Sequence, residues 1–290
     1  MRLVFLGTPA AAVAPLTALV DAGHDVELVI TRPDRRRGRG SALSPSPVKV
    51  AALARGLRVG HRLAELDDLD VERGVVVAYG VIIPGALLER VPMLNVHFSL
   101  LPRWRGAAPV ERAILAGDAE TGVSVMTLEV ELDTGPVHVE RRVTIGEKTA
   151  AALLDELSRV GAAALVEVLA SPDLLEHPTV QEGEVTYAQK LDKETFHLTP
   201  SMDADLFLRT VRLGRAFCFV NERRLHVLGA RRSDHPVTGA MMRADGGDVL
   251  LGLANGSVAL DEVRPEDSKA MSSSSWWVGA RLDVDTARWS

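Results

Sequence analysis

Polar side chains alternate along a strongly apolar segment, LNVHFSLLPRWRGAAP, at residues 94–109. In an extended strand successive side chains point to opposite faces, so Asn95, His97 and Ser99 share one face and the residues between them are apolar. An amide N–H can stabilise an oxygen that acquires negative charge, and an imidazole can move a proton at neutral pH. This pattern suits transfer of an acyl group. A core histidine that is satisfied by a backbone carbonyl is an equally compatible interpretation.

A candidate carboxylate partner for the imidazole occurs in the turn ELDTGP at residues 131–136. An aspartate before Thr-Gly is often a turn residue whose carboxylate caps backbone amides. A carboxylate beside His97 would instead orient the imidazole and stabilise its charge. The spacing leaves open whether Asp133 and His97 meet. The sequence has no GxSxG nucleophile motif, which favours direct transfer to an incoming nucleophile over a covalent enzyme intermediate.

The surrounding elements predict an α/β domain with a Rossmann-like, parallel-rich sheet. An alanine-rich helix at residues 10–22 lies between two apolar strands, which is a βαβ opening. Ligands of such sheets gather at the carboxyl ends of the strands, where the loop after His97 would lie. An amphipathic helix at residues 150–169 is expected to cover the sheet. The predicted strands are residues 2–6, 26–31, 74–84, 122–129 and 137–143.

Composition limits the class of protein. The chain has 290 residues, 47% of them hydrophobic, and a formal net charge of -6, which favours two globular domains and excludes a generally basic nucleic-acid coat. The single cysteine, Cys218, excludes a disulfide framework and a cysteine-rich zinc cluster, and no HExxH spacing is present, so we expect no metal. The N-terminal residues lack a signal-peptide pattern and no apolar run reaches membrane-spanning length. We therefore expect a cytoplasmic protein without a membrane partner.

Arginines are concentrated in the segment RPDRRRGRGSALSPSP at residues 32–47. The segment has no hydrophobic periodicity, which predicts an exposed loop. A run of charge is usually a solvated surface, but so local a concentration on an acidic protein would also suit phosphates. The arginines are Arg32, Arg35, Arg36, Arg37 and Arg39.

Composition changes again at residues 191–201, which predict a linker between a catalytic domain of residues 1–190 and a second domain of residues 202–290. Short strands between Gly, Asn and Asp turns predict that the second domain is a small β-barrel or sandwich. The pair Trp276 and Trp277 is compatible with a packed C-terminal plug or with a platform for base stacking. The packed arrangement is the more common of the two.

Long stretches of the sequence closely resemble the methionyl-tRNA formyltransferase family, within the wider folate-dependent formyltransferases. The match to the family's formyl-transfer signature is LNVHFSLLPRWRGAAPVERAILAGDAETGVSVM followed by ELDTGPV. VFLGTP, TRPDRRRGRG with SPSPVKV, and VVVAYGVIIP extend the resemblance over about residues 1–195. It implies a catalytic triad of Asn95, His97 and Asp133. It also implies a tetrahydrofolate-contacting loop of Ser99, Leu100, Leu101 and Pro102.

The reaction implied by the resemblance passes the formyl group of 10-formyltetrahydrofolate to the α-amino group of methionine on initiator tRNA, a step of translation initiation. In that reaction Asn95 would bind the developing oxyanion and His97 would handle the proton of the amine or of the departing N10. Asp133 would orient His97. The arginines of residues 32–40 match the family's acceptor-stem-contacting loop, which favours tRNA binding over an idle surface. We expect a monomer.

The second domain departs from the family pattern. The family usually has a motif like FNPWPGA after its linker helix. Here Ala216–Asn221 is followed directly by Glu222, and several residues of that motif are missing. SKAMSSSSWWVGAR resembles the family's Lys-Pro-Met ending, with Ala270 where proline is common. The expectation is a shortened, OB-like β-barrel that binds tRNA. Two alternatives stay open: a folate-dependent formyltransferase for a small amine such as an amino sugar nucleotide, and a folate- or RNA-binding protein without catalysis.

Overall fold

The computed structural model describes residues 1–36, 43–237, 239–282 and 287–290. The chain divides into two compact units. The N-terminal unit comprises residues 1–110, 119–144 and 153–189, and the C-terminal unit comprises residues 111–118, 145–152 and 190–290. The residues expected to form a linker, 191–201, thus group with the C-terminal unit. In that segment Leu198 is fully buried and its N–H donates to the carbonyl oxygen of Phe217.

The first 188 residues contain a mixed succession of helices and strands. In chain order they are β1 (Arg2–Gly7), α1 (Val13–Asp21), β2 (Asp25–Ile30), β3 (Arg35–Arg36), β4 (Leu43–Ser44), α2 (Pro47–Ala54), β5 (Val59–Gly60), β6 (Arg73–Val77), α3 (Gly85–Arg90), β7 (Met93–His97), β8 (Arg105–Gly106), α4 (Pro109–Ala116), β9 (Glu120–Thr127), β10 (Val137–Thr144), α5 (Ala150–Ala170), α6 (Pro172–Glu176) and β11 (Tyr187–Ala188).

The N-terminal unit is built on a seven-stranded sheet with the order β10-β9-β7-β6-β1-β2-β5. The pairs from β7 to β5 are parallel, whereas β9 is antiparallel to both β7 and β10. This sheet confirms the predicted parallel-rich, Rossmann-like fold. Helix α5 covers the sheet closely: a Cβ added at Gly161 would lie 2.7 Å from a methyl group of Val96.

The strand predicted at residues 74–84 is shorter than expected. β6 ends at Val77 because the backbone then takes positive φ angles at Ala78 (46°) and Gly80 (72°), which strand geometry does not allow. Residues 78–84 form an irregular segment in which the Ile82 side chain is 88% exposed. Val81 and Ile82 are thus exposed while Tyr79 and Ile83 are buried, and the segment does not continue the strand.

The C-terminal unit contains an antiparallel sheet, as predicted for the second domain. Its elements are α7 (Ala204–Val211), β12 (Phe217–Val220), β13 (Arg223–Ser233), β14 (Met242–Asp245), β15 (Asp248–Leu253), β16 (Gly256–Pro265), β17 (Met271–Ser272) and α8 (Ser273–Ala280). The strand order is β12-β13-β16-β15-β14, and β17 pairs with β16. Trp289 and Arg288 bridge to Val220 and Met241 respectively, so the C-terminal residues join the two edge strands and close the sheet into a barrel.

A tight hairpin between β12 and β13 stands where the family's FNPWPGA-like motif is missing. Asn221 and Glu222 alone connect the strands, and both have positive φ, 47° and 64°. Two such residues in succession are typical of the type I′ turn, whose twist matches antiparallel strands. Trp276 and Trp277 are each 9% exposed within the hydrophobic core of this unit, which confirms their packed arrangement. Cys218 also lies in that core, where burial raises the pKa of its thiol to about 12.

Candidate functional site

The strand β7 places two of the candidate side chains at the carboxyl end of the parallel sheet. Asn95 and His97 lie on the same face of β7, and β7 ends at His97. The exposed fractions of the two residues are only 9% and 6%. Because burial of a polar side chain is costly without a partner, these residues need specific neighbours.

Asp133 meets His97 across the end of the sheet. It lies between β9 and β10 with a φ of 52° and is 7% exposed. Its Oδ2 accepts a hydrogen bond of 2.7 Å from the backbone N–H of Gly106 and lies 3.7 Å from Nδ1 of His97. The distance to Nδ1 is beyond a direct hydrogen bond but within the range of strong charge interaction.

The backbone of Trp104 fixes the imidazole. Nε2 of His97 lies 2.9 Å from the carbonyl oxygen of Trp104. A carbonyl oxygen only accepts, so Nε2 carries the proton and Nδ1 of the neutral ring has a free lone pair. Nδ1 and the Asp133 carboxylate are then two acceptors that face each other. A group that carries N–H donors, such as an amine, could bridge the two acceptors from the side of the cavity.

The loop after β7 is held by one internal hydrogen bond and by two from β9. The hydroxyl of Ser99 donates to the carbonyl of Arg103 over 2.6 Å, and Ser124 on β9 donates to the carbonyl of Ser99 over 2.8 Å. Ser124 also accepts from the N–H of Leu101. Ser99, Leu101 and Pro102 are buried and Leu100 is partly exposed. These hydrogen bonds fix the loop that directly follows His97. Its contact with folate stays a prediction.

A cavity of about 500 Å³ opens beside Asn95, His97 and Asp133. Its remaining walls are mostly apolar and come chiefly from Val76, residues 78–83 and residues 128–132, with contributions from β7 and residues 106–109. A largely apolar pocket with a few converging polar groups is typical of small-molecule sites. Residues 78–83 and 128–132 were not among the site residues predicted from the sequence. Their position just after β6 and β9, next to the polar end of β7, was the available signal.

The predicted tRNA-binding arginines are only partly described. Arg35 and Arg36 form β3 and are exposed, and β3 pairs with β4, so the segment is not entirely irregular. Arg32 is partly exposed and donates a hydrogen bond of 3.1 Å to the carbonyl of Gly80, beside the cavity. Arg37 and Arg39 lie outside the described residues.

A second group of functional interest lies entirely within the C-terminal unit, and we call it the cationic–aromatic cluster. A guanidinium lies over an aromatic ring twice: Arg215 is 4.4 Å from the centre of Phe196, and Arg224 is 4.6 Å from that of Phe217. His197 stacks on Phe217 at 5.1 Å. These side chains surround a cavity of about 460 Å³. Glu194 and Gly214 also line this cavity, and the Glu194 carboxylate lies 3.9 Å from Nδ1 of His197. The members of the cluster are Lys193, Phe196, His197, Arg215, Phe217, Phe219, Arg224, His226 and Arg264.

Two buried nitrogens of the cluster have no hydrogen-bond partner among the described residues. They are Nε of Arg224 and Nε2 of His197. Burial, with the nearby Arg264 and Arg224, lowers the pKa of His226. Such a pre-organised group of cations is suited to an anionic ligand. The arginines of this domain are visible in the sequence, but their arrangement around one cavity is not.

The described residues contain no group of three or more His, Cys, Asp or Glu side chains arranged to hold a metal ion. No helix in the described part of the chain is long and apolar enough to cross a membrane.

An α/β domain in which an amide, an imidazole and a carboxylate converge beside a cavity is the arrangement expected of a group-transfer enzyme. Family models agree with this class: "Formyl transferase" matches residues 1–169 and "Formyl transferase, C-terminal domain" matches residues 204–281. A methionyl-tRNA formyltransferase from Thiobacillus denitrificans is 41% identical over 306 residues, with 99% of each chain covered. The chain therefore belongs to the methionyl-tRNA formyltransferase family and is an enzyme of the formyltransferase type.

Solved structures share the fold. HypX from Aquifex aeolicus, in complex with tetrahydrofolic acid, matches with a TM-score of 0.68 and 16% identity, over 96% of this chain and 47% of HypX. An N-formyltransferase from Helicobacter canadensis, in complex with folinic acid and dTDP-3-aminofucose, gives a TM-score of 0.68 and 16% identity, over 90% of this chain and 98% of that one. At such low identity these matches concern the fold alone.

Proposed function

We propose that the enzyme transfers the formyl group of 10-formyltetrahydrofolate to the α-amino group of methionyl initiator tRNA. The observation that carries this proposal is the end-to-end similarity to a methionyl-tRNA formyltransferase, in a chain whose Asn95, His97 and Asp133 converge on one cavity. In the reaction the amine nitrogen bonds to the formyl carbon, and the bond from that carbon to N10 of the folate breaks.

Each residue of the triad has a role that its position supports. The Asn95 amide donates a hydrogen bond to the oxygen of the formyl group as that oxygen becomes negative. Nδ1 of His97 accepts the proton that the amine loses and returns it to the departing N10. The Asp133 carboxylate stabilises the imidazolium that exists between these two transfers. The carbonyl of Trp104 holds the ring throughout, because its bond to Nε2 is compatible with both protonation states.

The composition of the cavity supports a folate donor. Folate carries a flat heteroaromatic ring, and the walls formed by Val76, residues 78–83 and residues 128–132 are mostly apolar. Tyr79 is buried, and this burial raises the pKa of its hydroxyl. The donor supplies an activated formyl group, whereas the residues of this chain bind it, exclude water and move the proton.

Two basic regions would bind the tRNA. One is the arginine-rich segment with Arg32, Arg35, Arg36, Arg37 and Arg39. The other is the cationic–aromatic cluster of the C-terminal unit. RNA is bound largely through its phosphates, so a protein of formal net charge -6 needs such local concentrations of positive charge.

The deciding experiment is an assay of the purified chain with 10-formyltetrahydrofolate and methionyl initiator tRNA, beside a panel of small amines that includes an amino sugar nucleotide. Formylation of the tRNA with turnover is the expected result. Formylation of a small amine but not of the tRNA would mean that the enzyme is a folate-dependent formyltransferase with a different acceptor. Folate binding without transfer to any amine would contradict the enzymatic proposal.

A further inference from the structure

The segment Thr179–Ala188 connects the two loops that form the catalytic site. Thr179 bridges Val137 in the antiparallel sense, with two backbone hydrogen bonds of 2.8 Å. In that register the chain next brings Gln181 beside Gly135 and Asp133. Further along, β11 pairs with β8, which follows Trp104 directly. One segment thus touches both the loop of Asp133 and the loop that holds His97.

The side chain of Gln181 bonds to both loops at once. Its Nε2 donates to the carbonyl oxygens of Asp133 and Gly135, each over 2.8 Å. Its Oε1 accepts from Nε and Nη2 of Arg105, over 3.1 and 2.6 Å. Both amide protons and the amide oxygen are therefore used. A carboxamide is the side-chain group that offers donors and an acceptor together.

The groups that Gln181 contacts are close in the chain to the residues that hold His97 and Asp133. Arg105 lies between Trp104, whose carbonyl binds His97, and Gly106, whose N–H binds the Asp133 carboxylate. Asp133 itself has a φ of 52°, a conformation that non-glycine residues adopt rarely and at a cost. The hydrogen bond to its carbonyl oxygen helps to hold that conformation.

We infer that Gln181 is a positioning residue, which sets the Asp133 carboxylate relative to Nδ1 of His97. The effect of Gln181 on catalysis rests on the proposed function. Its effect on the geometry of Asp133 and His97 does not. A shift of about 1 Å in a reacting group can cost about 10²-fold in rate, so the effect should be large enough to measure.

Two substitutions separate the contacts. Gln181→Met keeps the length of the side chain and removes all its hydrogen bonds, whereas Gln181→Glu keeps the acceptors for Arg105 and removes the donors to Asp133 and Gly135. We expect both to lower kcat about 10- to 100-fold with little change in the KM of either substrate. Glu182→Gln, at the exposed neighbouring residue, is the matched control and should retain wild-type kcat. Wild-type kcat in Gln181→Met would overturn the inference.

A double-mutant cycle tests whether Gln181 acts through Asp133. In an Asp133→Asn background, Gln181→Met should cost much less than in the wild type, because the group to be positioned is already absent. Equal costs in both backgrounds would show an independent role and contradict the inference. Melting temperatures of all variants identify a loss of activity that arises from unfolding.

Nitrogen NMR of the histidine rings gives a readout that needs no activity. His97 is assigned by comparison with His97→Gln, and its ring ¹⁵N shifts are expected to change in Gln181→Met but not in Glu182→Gln. Unchanged His97 shifts would overturn the inference even if activity fell. If the wild type formylates no amine, the proposed function fails, and these shifts alone decide the positioning role.

Discussion

Nδ1 of His97 and Oδ2 of Asp133 lie 3.7 Å apart, and each group is held by a backbone contact from the same short loop. Trp104 fixes the imidazole through its carbonyl, and Gly106 fixes the carboxylate through its N–H. The pair is therefore pre-organised without a direct hydrogen bond. A substrate amine that bridges the two groups would find two acceptors, and a proton that moves to Nδ1 would find an adjacent negative charge.

Removal of either member of this pair should abolish most turnover. We expect His97→Ala to lower kcat about 10²- to 10⁴-fold, the usual contribution of a general acid–base group, and Asp133→Ala to cause a loss of similar order. Steady-state assays of formyl transfer measure both. His177→Ala, at an exposed histidine on the surface, is the control. Normal turnover in His97→Ala or Asp133→Ala, with the variant folded, would reject the assigned roles.

Neutralisation of the arginine-rich segment should weaken tRNA use selectively. In a variant with Arg35→Gln, Arg36→Gln and Arg37→Gln, we expect a higher KM for tRNA and an unchanged KM for the folate. The logarithm of tRNA affinity should also depend less steeply on the logarithm of salt concentration, by about one unit for each phosphate that the variant no longer binds. The control is Arg159→Gln, on the exposed side of α5. Equal tRNA affinity and salt dependence in both variants would exclude this segment from the interface.

The cationic–aromatic cluster should make its own contribution to RNA binding. Arg215→Gln and Arg224→Gln together are expected to weaken tRNA binding about 10-fold or more, measured as Kd by filter binding at fixed salt. Arg243→Gln is the matched control, because Arg243 is on β14 and its partner is Asp245. Binding should also strengthen as the pH falls below the ordinary histidine value of about 6.5, since a phosphate favours protonated His226, whose pKa is lowered by burial and by the nearby arginines. Identical Kd values for the cluster and control variants would contradict the proposal.

His138 should make the free energy of unfolding depend on pH. Burial lowers the pKa of this imidazole from its ordinary value of about 6.5, and its neutral ring uses both nitrogens: Nδ1 donates to the carbonyl of Leu174 and Nε2 accepts from Thr127. Between the lowered pKa and 6.5 the unfolded chain binds more protons than the folded one. The contribution of His138 to stability is therefore lost as the pH falls from about 7 through this window.

Urea unfolding of the wild type and His138→Gln at a series of pH values from 7.5 to about 5 measures this dependence. The variant should be less stable at pH 7 and should lose less stability on acidification than the wild type. His177→Gln should follow the wild-type curve. Parallel curves for the wild type and His138→Gln would rule out the assigned linkage.

Local patterns in the sequence determined much of the fold and of the chemical groups. The βαβ opening and the buried strands predicted the parallel sheet, because chain twist and burial leave few other arrangements. Alternation along β7 put Asn95 and His97 on one face. The tight turn at Asn221–Glu222 was not predicted, because the sequence showed there only a departure from the family pattern. The continuous apolar run was misleading after Val77, because residues 78–83 line a cavity rather than extend a strand.

Only the tertiary structure decided which distant groups meet. The approach of Asp133 to His97 depends on backbone contacts from Trp104 and Gly106, and backbone groups have no signature in the sequence. The bridging role of Gln181 depends on the register of an isolated bridge at Thr179, and a shift of one residue would turn its side chain to the opposite face. Spacing along a chain specifies which face a residue occupies within its own element. Contacts between elements depend on packing, and packing is set by the whole fold.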